Sequence, residues 1–496
     1  MTWTSDAQLA TLAGMRPVIS VLICLALAAC EVPKKPPPPA RQSRELIVLT
    51  RNSSSTYYDN GSGEPVGLEH DLAMLFGKEL GVPVKFIIAT QFDQILPNLA
   101  QHKAHLAAAG LSITPEREKR VRFGPAYQTV QQQVIFNTDM EAPQSFQDLV
   151  GKRIEVVAGS SYAESLRQAK LNFKDLKWRE IKISESEELL NKLAAGSLDA
   201  VIVDSNIYEI AQNFHPNLRV AFDVSKPQSL AWAFPRDVDP RFYARAVAFF
   251  KRIDRDGTLK QLIERYYGHV NRLEEIDVAG ILENMRNLLP KYRRLFHQAQ
   301  ELTGIDWRLL AALGYQESHW NALATSPTNV RGLMMLTEDT ADSLGVSNRL
   351  DARESILAGA EYLVMMQEMV PDRLTEPDRT WLALAAYNQG YGHLEDARIL
   401  AQRHGLNPDA WSDVKQVLPL LAKSEYFNTV KHGFARGGEP VIFVENIRTY
   451  YDILAKFEPA YKPSFSLVSS KDQALISQPS QASRPRLSAP AVPSPR

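Results

Sequence analysis

Glu317 is the residue whose position most clearly suggests chemistry. Trp307, Leu310, Leu313, Glu317 and Trp320 recur at steps of three or four, which predicts a helix capped by Asp306 with Glu317 on the apolar stripe of Leu310 and Leu313. A carboxyl on a core-facing stripe loses hydration, and desolvation raises its pKa above the ~4.3 of a free Glu. A value near roughly 6 lets it carry a proton at neutral pH and act as a general acid. A buried Glu paired with a basic group fits the same periodicity.

A second constellation lies earlier in the chain. Ser112-Ile113-Thr114-Pro115-Glu116-Arg117 reads as a strand end followed by a helix start, with Thr114 able to cap and Pro115 suited to the first helical position. Arg117 in that first turn opposes the helix dipole, yet its planar fork suits a carboxylate. A solvated surface arginine fits equally. Asp204 closes the apolar run Ala200-Val201-Ile202-Val203, where an α/β sheet presents ligand-binding groups and an acid could meet an ammonium. Capping the following segment at Ser205 is its alternative role.

Two differently patterned regions must position these groups. Residues 45–270 alternate short apolar runs with amphipathic helices, which predicts an α/β domain. Strands are expected at Glu45–Leu49 and Val82–Ile88, with a helix over Asp71–Leu80 stopped by Gly81. Residues 290–460 read as all-helical, with 271–289 as a linker. The chain of 496 residues, 45% hydrophobic and 23% charged, has length for two or three folded units. Its 56 Lys plus Arg against 57 Asp plus Glu give a formal net charge of −1, which argues against a nucleic-acid partner.

Both cysteines, Cys24 and Cys30, sit near the start. Arg16 and the apolar run Val18–Ala29 have the length of a signal-peptide core, so 1–30 is read as an export signal. Asp6 is out of place in a basic leader, so Met15 is an alternative start. Pro36–Pro39 make 31–44 an extended stalk, and 461–496, rich in Ser, Pro, Gln and Ala, reads as a disordered tail.

Leu27-Ala28-Ala29-Cys30 resembles the bacterial lipobox, which implies lipidation at Cys30. Glu31, rather than an aspartate, follows, which implies the periplasmic face of the outer membrane. A plain signal peptide is the alternative. Gly67-Leu68-Glu69-His70-Asp71-Leu72, Gly110 to Arg117, Phe123-Gly124-Pro125-Ala126-Tyr127, Gly257-Thr258-Leu259 and Tyr266-Tyr267-Gly268 resemble family 3 periplasmic solute-binding proteins. The resemblance implies two α/β lobes closing on an amino acid or small peptide. Arg117 would hold its carboxylate, Ser112 and Thr114 would assist, and Asp204 would meet its amino group. The Tyr57-Tyr58 segment departs from the family's proline-aromatic motif, leaving the ligand's side chain open.

Glu317-Ser318, Ala324, Ser326-Pro327, Gly332-Leu333-Met334 and Ala385-Ala386-Tyr387-Asn388-Gln389-Gly390, in that order, resemble the transglycosylase SLT domain of lysozyme-like fold. The resemblance implies an enzyme acting on peptidoglycan glycan strands. Glu317 is its catalytic residue, with Ser326, Gly332, Met335, Tyr387 and Asn388 at the substrate. Three departures stand out: Met335 replaces a glutamine, Asn329-Val330 replaces Gly-Ala, and Phe443 replaces a tyrosine. Asn is the next-best residue after Gly for a left-handed turn.

Glycosidases usually pair two carboxylates, whereas these motifs offer only Glu317. The resemblance implies that the substrate supplies its own nucleophile, with neither metal nor cofactor. A lysozyme-like hydrolase, or a solute receptor with an inactive helical domain, are the rival readings. The hinged domain is further expected to bind muropeptide fragments and bias the enzyme.

Overall fold

The computed structural model describes residues 44–59, 65–270 and 272–462. The signal, the stalk with Cys30 and the tail beyond 462 lie outside them.

The α/β region is built on two five-stranded sheets. In the first, the order is Val84–Ala89, Leu46–Arg51, Leu106–Ala107, Gln228–Pro235 and Val121–Val130. Its first three strands run parallel and the last two pair antiparallel. The second runs Leu218–Asp223, Gln132–Asn137, Ala200–Asp204, Ile154–Val157 and Arg179–Ile181. Each sheet forms a lobe, and the chain crosses between them at Val130–Gln132 and again at Asp223–Gln228. One side-chain and one backbone bond brace this two-stranded hinge: Gln132 Nε2 donates to Gln228 Oε1 at 3.1 Å, and Val224 N–H donates to the Gln132 backbone carbonyl at 2.7 Å. The fold class is therefore that expected from the alternating pattern.

Boundaries shift for local reasons. The helix read from Asp71 begins at Leu68 and ends at Gly81, whose φ of 72° gives the left-handed cap. The strand read from Val82 begins at Val84. The strand leading to Ser112 is only Leu106–Ala107, because Gly110 turns the chain at φ 64°; Ser112 makes a lone bridge to Leu230.

The rest of the described chain is helical around one apolar core that includes Leu310, Leu313, Trp411 and Ile447. The stretch 271–289, read as a linker, instead carries the helix Glu275–Asn287, and its Val278, Ile281 and Met285 are buried. The Trp307–Ser318 helix packs on the long Gly438–Phe457 helix. As read from the sequence, Asp306 caps it, accepting Arg308 N–H at 2.9 Å. It stops at Ser318 rather than running through Trp320: His319 and Trp320 are both left-handed, at φ 52° and 60°. The Trp320 indole donates to Ala311 O at 2.8 Å, which holds this strained turn against the helix.

The two regions touch through the α/β domain's last helix, Thr258–Tyr267. Arg448 donates to its terminal carbonyls at Glu264 and Arg265, at 3.2 and 2.8 Å. Arg265 pairs with Asp378 at 3.2 Å, and His269 Nε2 meets Asp452 at 2.6 Å.

Candidate functional site

Glu317 lies in the last turn of the Trp307–Ser318 helix, half-buried beside a tight turn over 324–336. Ser318 fastens helix to turn, donating to Leu333 O at 2.8 Å. Gly314, one turn back, allows this approach, since a Cβ there would lie 2.8 Å from Leu333 Cδ2. Burial pushes the Glu317 carboxyl up to about 8, with neither a charge nor a hydrogen bond among the causes. The alternative of a Glu paired with a basic group is not what the structure contains: among the described ion pairs, none involves Glu317. The stripe pointed to an upward shift, and its direction agrees with what burial does here.

The remaining helical-domain candidates gather around this turn in different capacities. Gly332 has φ 87°, and a Cβ there would sit 1.9 Å from Arg349 O, so only glycine fits. Ser326 spends its hydroxyl inside the turn, accepting Val330 N–H at 3.1 Å and pairing with Thr328 at 3.0 Å. Asn329 is left-handed at φ 63°, as its substitution for glycine suggested. Met335 also has a positive φ, 46°, and is partly exposed. Tyr387 is buried and donates to Met334 O at 3.2 Å, while Asn388 beside it is exposed. Burial and then the nearby Glu317 charge raise the Tyr387 phenol, which places the two groups in electrostatic range. Phe443 stacks on the Tyr387 ring at 6.4 Å and 15°, so the residue that lost a hydroxyl keeps an aromatic face.

In the α/β domain the lobes are closed on each other. Phe92 N–H donates to Ile183 O at 2.9 Å across the cleft, and Ser112 meets Ser161 at 3.3 Å. Arg51, Phe92, Ser112, Arg117, Tyr162 and Asp204 are among the residues lining the narrow cavity that remains. Thr114 caps the Pro115–Glu118 turn, accepting Arg117 N–H at 3.3 Å, and does not line the cavity. Arg117 is buried and gives three of its five N–H donors to protein: Nε donates to Glu164 at 3.2 Å, Nη1 to Ser112 O at 3.1 Å and Nη2 to Gly159 O at 3.2 Å. It spans both lobes. Asp204 is also buried, and burial pushes its carboxyl up to about 6 against Tyr162, Arg51 and Arg117. It occupies the cap position before Ser205 but makes no side-chain cap bond. Sequence reasoning missed Arg51, Phe92 and Glu164. For Arg51 a signal existed, since it ends the first strand, where such sheets present ligand-binding groups.

Two family models match the chain. Residues 46–269 match bacterial extracellular solute-binding proteins, family 3, and residues 294–407 match the transglycosylase SLT domain. Among similar proteins, the membrane-bound lytic murein transglycosylase F of Methylobacillus flagellatus is 52% identical over 454 residues, covering 91% of this chain and 96% of that protein. The proteins of the same name from Nitrosospira multiformis and Thiobacillus denitrificans are 51% and 45% identical. They cover 84% and 91% of this chain, and 87% and 96% of their own lengths. The chain therefore belongs to the membrane-bound lytic murein transglycosylase F family, with a family 3 solute-binding domain ahead of an SLT domain.

Proposed function

We propose that this protein cleaves the β-1,4 bond between N-acetylmuramic acid and N-acetylglucosamine in murein without water, using Glu317 as both acid and base. The observation that carries the reading is the Glu317 carboxyl, pushed up to about 8 by burial alone. At neutral pH such a group holds the proton that the departing glycosidic oxygen needs. Once that proton is given, the carboxylate accepts one from the muramoyl C6 hydroxyl as its oxygen attacks C1. The C1–O bond to the leaving sugar breaks, a 1,6-anhydro ring closes, and Glu317 ends protonated again. A single carboxyl suffices because the sugar itself supplies the nucleophile. Met335 and exposed Asn388, with Gly332 and Ser326 shaping the turn beneath, would line the sugar site, and Tyr387 would hold its floor.

Mass spectrometry of digested sacculi tests this directly. Anhydro ends are one water lighter than hydrolysed ends, so hydrolysed products would replace this reading with a lysozyme-like hydrolase. Loss of both products in Glu317→Gln is the expected companion result.

Three further parts of the reading concern placement and control. Cys30 would carry a lipid that holds the enzyme at the periplasmic face of the outer membrane. Cys30→Ala is expected to give an unlipidated precursor absent from the outer-membrane fraction. The lobed domain would take an amino acid or muropeptide, and a ligand-dependent change in lobe closure could reach the catalytic helices through Thr258–Tyr267. That route is supported by the Arg448 contacts and by the Arg265–Asp378 pair. Turnover of purified glycan strands with and without stem peptide tests the coupling; equal rates would leave the domain without a regulatory role.

A further inference from the structure

Three helices tie down the turn beside Glu317, and two of the ties meet at one residue. Met334 is fully buried; its N–H donates to Ser355 Oγ at 3.0 Å, and its carbonyl accepts the Tyr387 hydroxyl at 3.2 Å. Its side chain is wedged between glycines of two helices. A Cβ at Gly359 would lie 2.7 Å from Met334 Cβ, and one at Gly314 would lie 3.2 Å from the Met334 sulfur. Ser355 is itself fully buried, in the first turn of the Ala352–Met369 helix. That helix does not need it for a cap, because Asp351 already accepts Glu354 N–H at 2.9 Å. The Ser355 hydroxyl therefore serves the turn.

The consequence for the chemistry runs through Tyr387. A phenol has one hydrogen to donate, and Met334 O takes it. The ring is flanked by Tyr362 at 5.0 Å and Phe443 at 6.4 Å, so rotation of the hydroxyl is the main freedom left to it. Tyr387 is the titratable group resolved as sensing the Glu317 charge, while burial is the sole resolved influence on Glu317. A hydroxyl turned from Met334 to Glu317 would donate to the carboxylate, favour the charged form and weaken the acid's hold on its proton.

We propose that Ser355 is a positioning residue for murein cleavage: by holding Met334 it keeps the Met334 carbonyl on the Tyr387 hydroxyl, and so keeps that hydroxyl off Glu317. It acts at one remove, through Met334 and Tyr387. The assignment rests on the reading of Glu317 as general acid.

The test is the pH profile of kcat/KM on purified glycan strands for wild type, Ser355→Ala and Ser355→Thr. One hydrogen bond gained by a carboxylate lowers its pKa by about one unit. Ser355→Ala should therefore move the basic limb, set by the Glu317 pKa of about 8, down by about one unit. Turnover should fall roughly 5-fold at pH 8 and stay within about twofold at pH 6, with KM unchanged at both. Ser355→Thr keeps the hydroxyl and should restore the limb. Should Ser355→Ala fail to fold, Ser355→Cys carries the test, because a thiol is a weak acceptor and should move the limb part of the way. In a Tyr387→Phe background, assayed at high enzyme concentration, Ser355→Ala should leave the limb in place, since no hydroxyl remains to turn. A shift that persists there would overturn the route through Tyr387. A loss uniform across pH, or a rise in KM at unchanged kcat, would overturn the proposal by making Ser355 a brace of the turn or of the sugar site. Glu317→Gln is measured alongside. Activity surviving in it would overturn the general-acid reading and this proposal together, whereas an inactive Glu317→Gln with an unmoved limb in Ser355→Ala would overturn the role of Ser355 alone.

Discussion

Two glutamates whose carboxyls are raised by burial, one in each domain, are handled in opposite ways. Glu69, 1% exposed in the first lobe, accepts three hydrogen bonds: from Gly110 N–H at 2.9 Å, Tyr127 O–H at 2.5 Å and the Trp232 indole at 2.7 Å. Glu317 is the more exposed of the two, but it has burial as its sole resolved influence. Burial raises both carboxyls, while around Glu69 the three donors and Arg51 pull the other way. A carboxyl that joins strands to a loop is surrounded by donors because leaving it unmatched would cost stability. One that must give up and retake a proton is more useful unmatched, with its pKa close to the working pH.

The largest expected effect of breaking this contrast is on turnover. Glu317→Gln should lower murein cleavage by about 10²–10⁴-fold or more, since the amide keeps the shape but has no proton to give. Product release from purified sacculi measures it, with circular dichroism confirming that the helices persist. Activity within tenfold of wild type would move the acid elsewhere.

Glu69→Ala should act on the fold instead. Leaving the Tyr127 hydroxyl, the Trp232 indole and Gly110 N–H without their acceptor should destabilise the α/β domain by about 2–4 kcal/mol. Thermal unfolding followed by near-ultraviolet dichroism would register the loss. A cost under about 1 kcal/mol would mean that water replaces the carboxyl readily.

A pH series sharpens the same comparison. Because the Glu317 pKa is about 8 in the folded protein and near 4.5 unfolded, the folded state binds the extra proton between those values. Stability conferred by that group therefore falls as pH rises through this window. The thermal midpoint of Glu317→Gln should gain on wild type by roughly a few degrees between pH 5 and pH 8. Wild-type turnover should decline above about pH 8 as the general acid ionises. A flat difference in midpoint would show that Glu317 is not protonated at neutral pH.

The smallest effect belongs to the turn. Ser326→Ala removes the acceptor of Val330 N–H and should cost about 0.5–1.5 kcal/mol. If the hydroxyl is only a brace, KM for glycan strands stays within twofold. A large rise in KM at unchanged kcat would instead assign it to the substrate.

How much of this was legible in advance differs from residue to residue. The Asp306 and Thr114 caps, the Gly81 stop and the left-handed Asn329 follow from local chemistry, and each is found in place. The Glu275–Asn287 helix was missed because its few apolar positions, Val278, Ile281 and Met285, form a weak stripe that gains meaning only against the helical core. Arg117 illustrates the opposite failure. Its motif was recognised, but motif spacing carries no information about Glu164, 47 residues later, which meets it from the other lobe.

The amino-acid order by itself determined the two architectures, their junction near residue 270 and the place of Glu317 on an apolar helical stripe, because periodicity, caps and motif order act over a few residues. Tertiary structure decided which buried charges are matched. Glu69 gathers donors from positions 110, 127 and 232, Arg117 is taken up by Glu164 and Gly159, and Arg51 and Asp204 face one cavity without meeting. Such matching depends on groups brought together from distant parts of the chain, and a charge's cost or use is set by what faces it once water has been excluded.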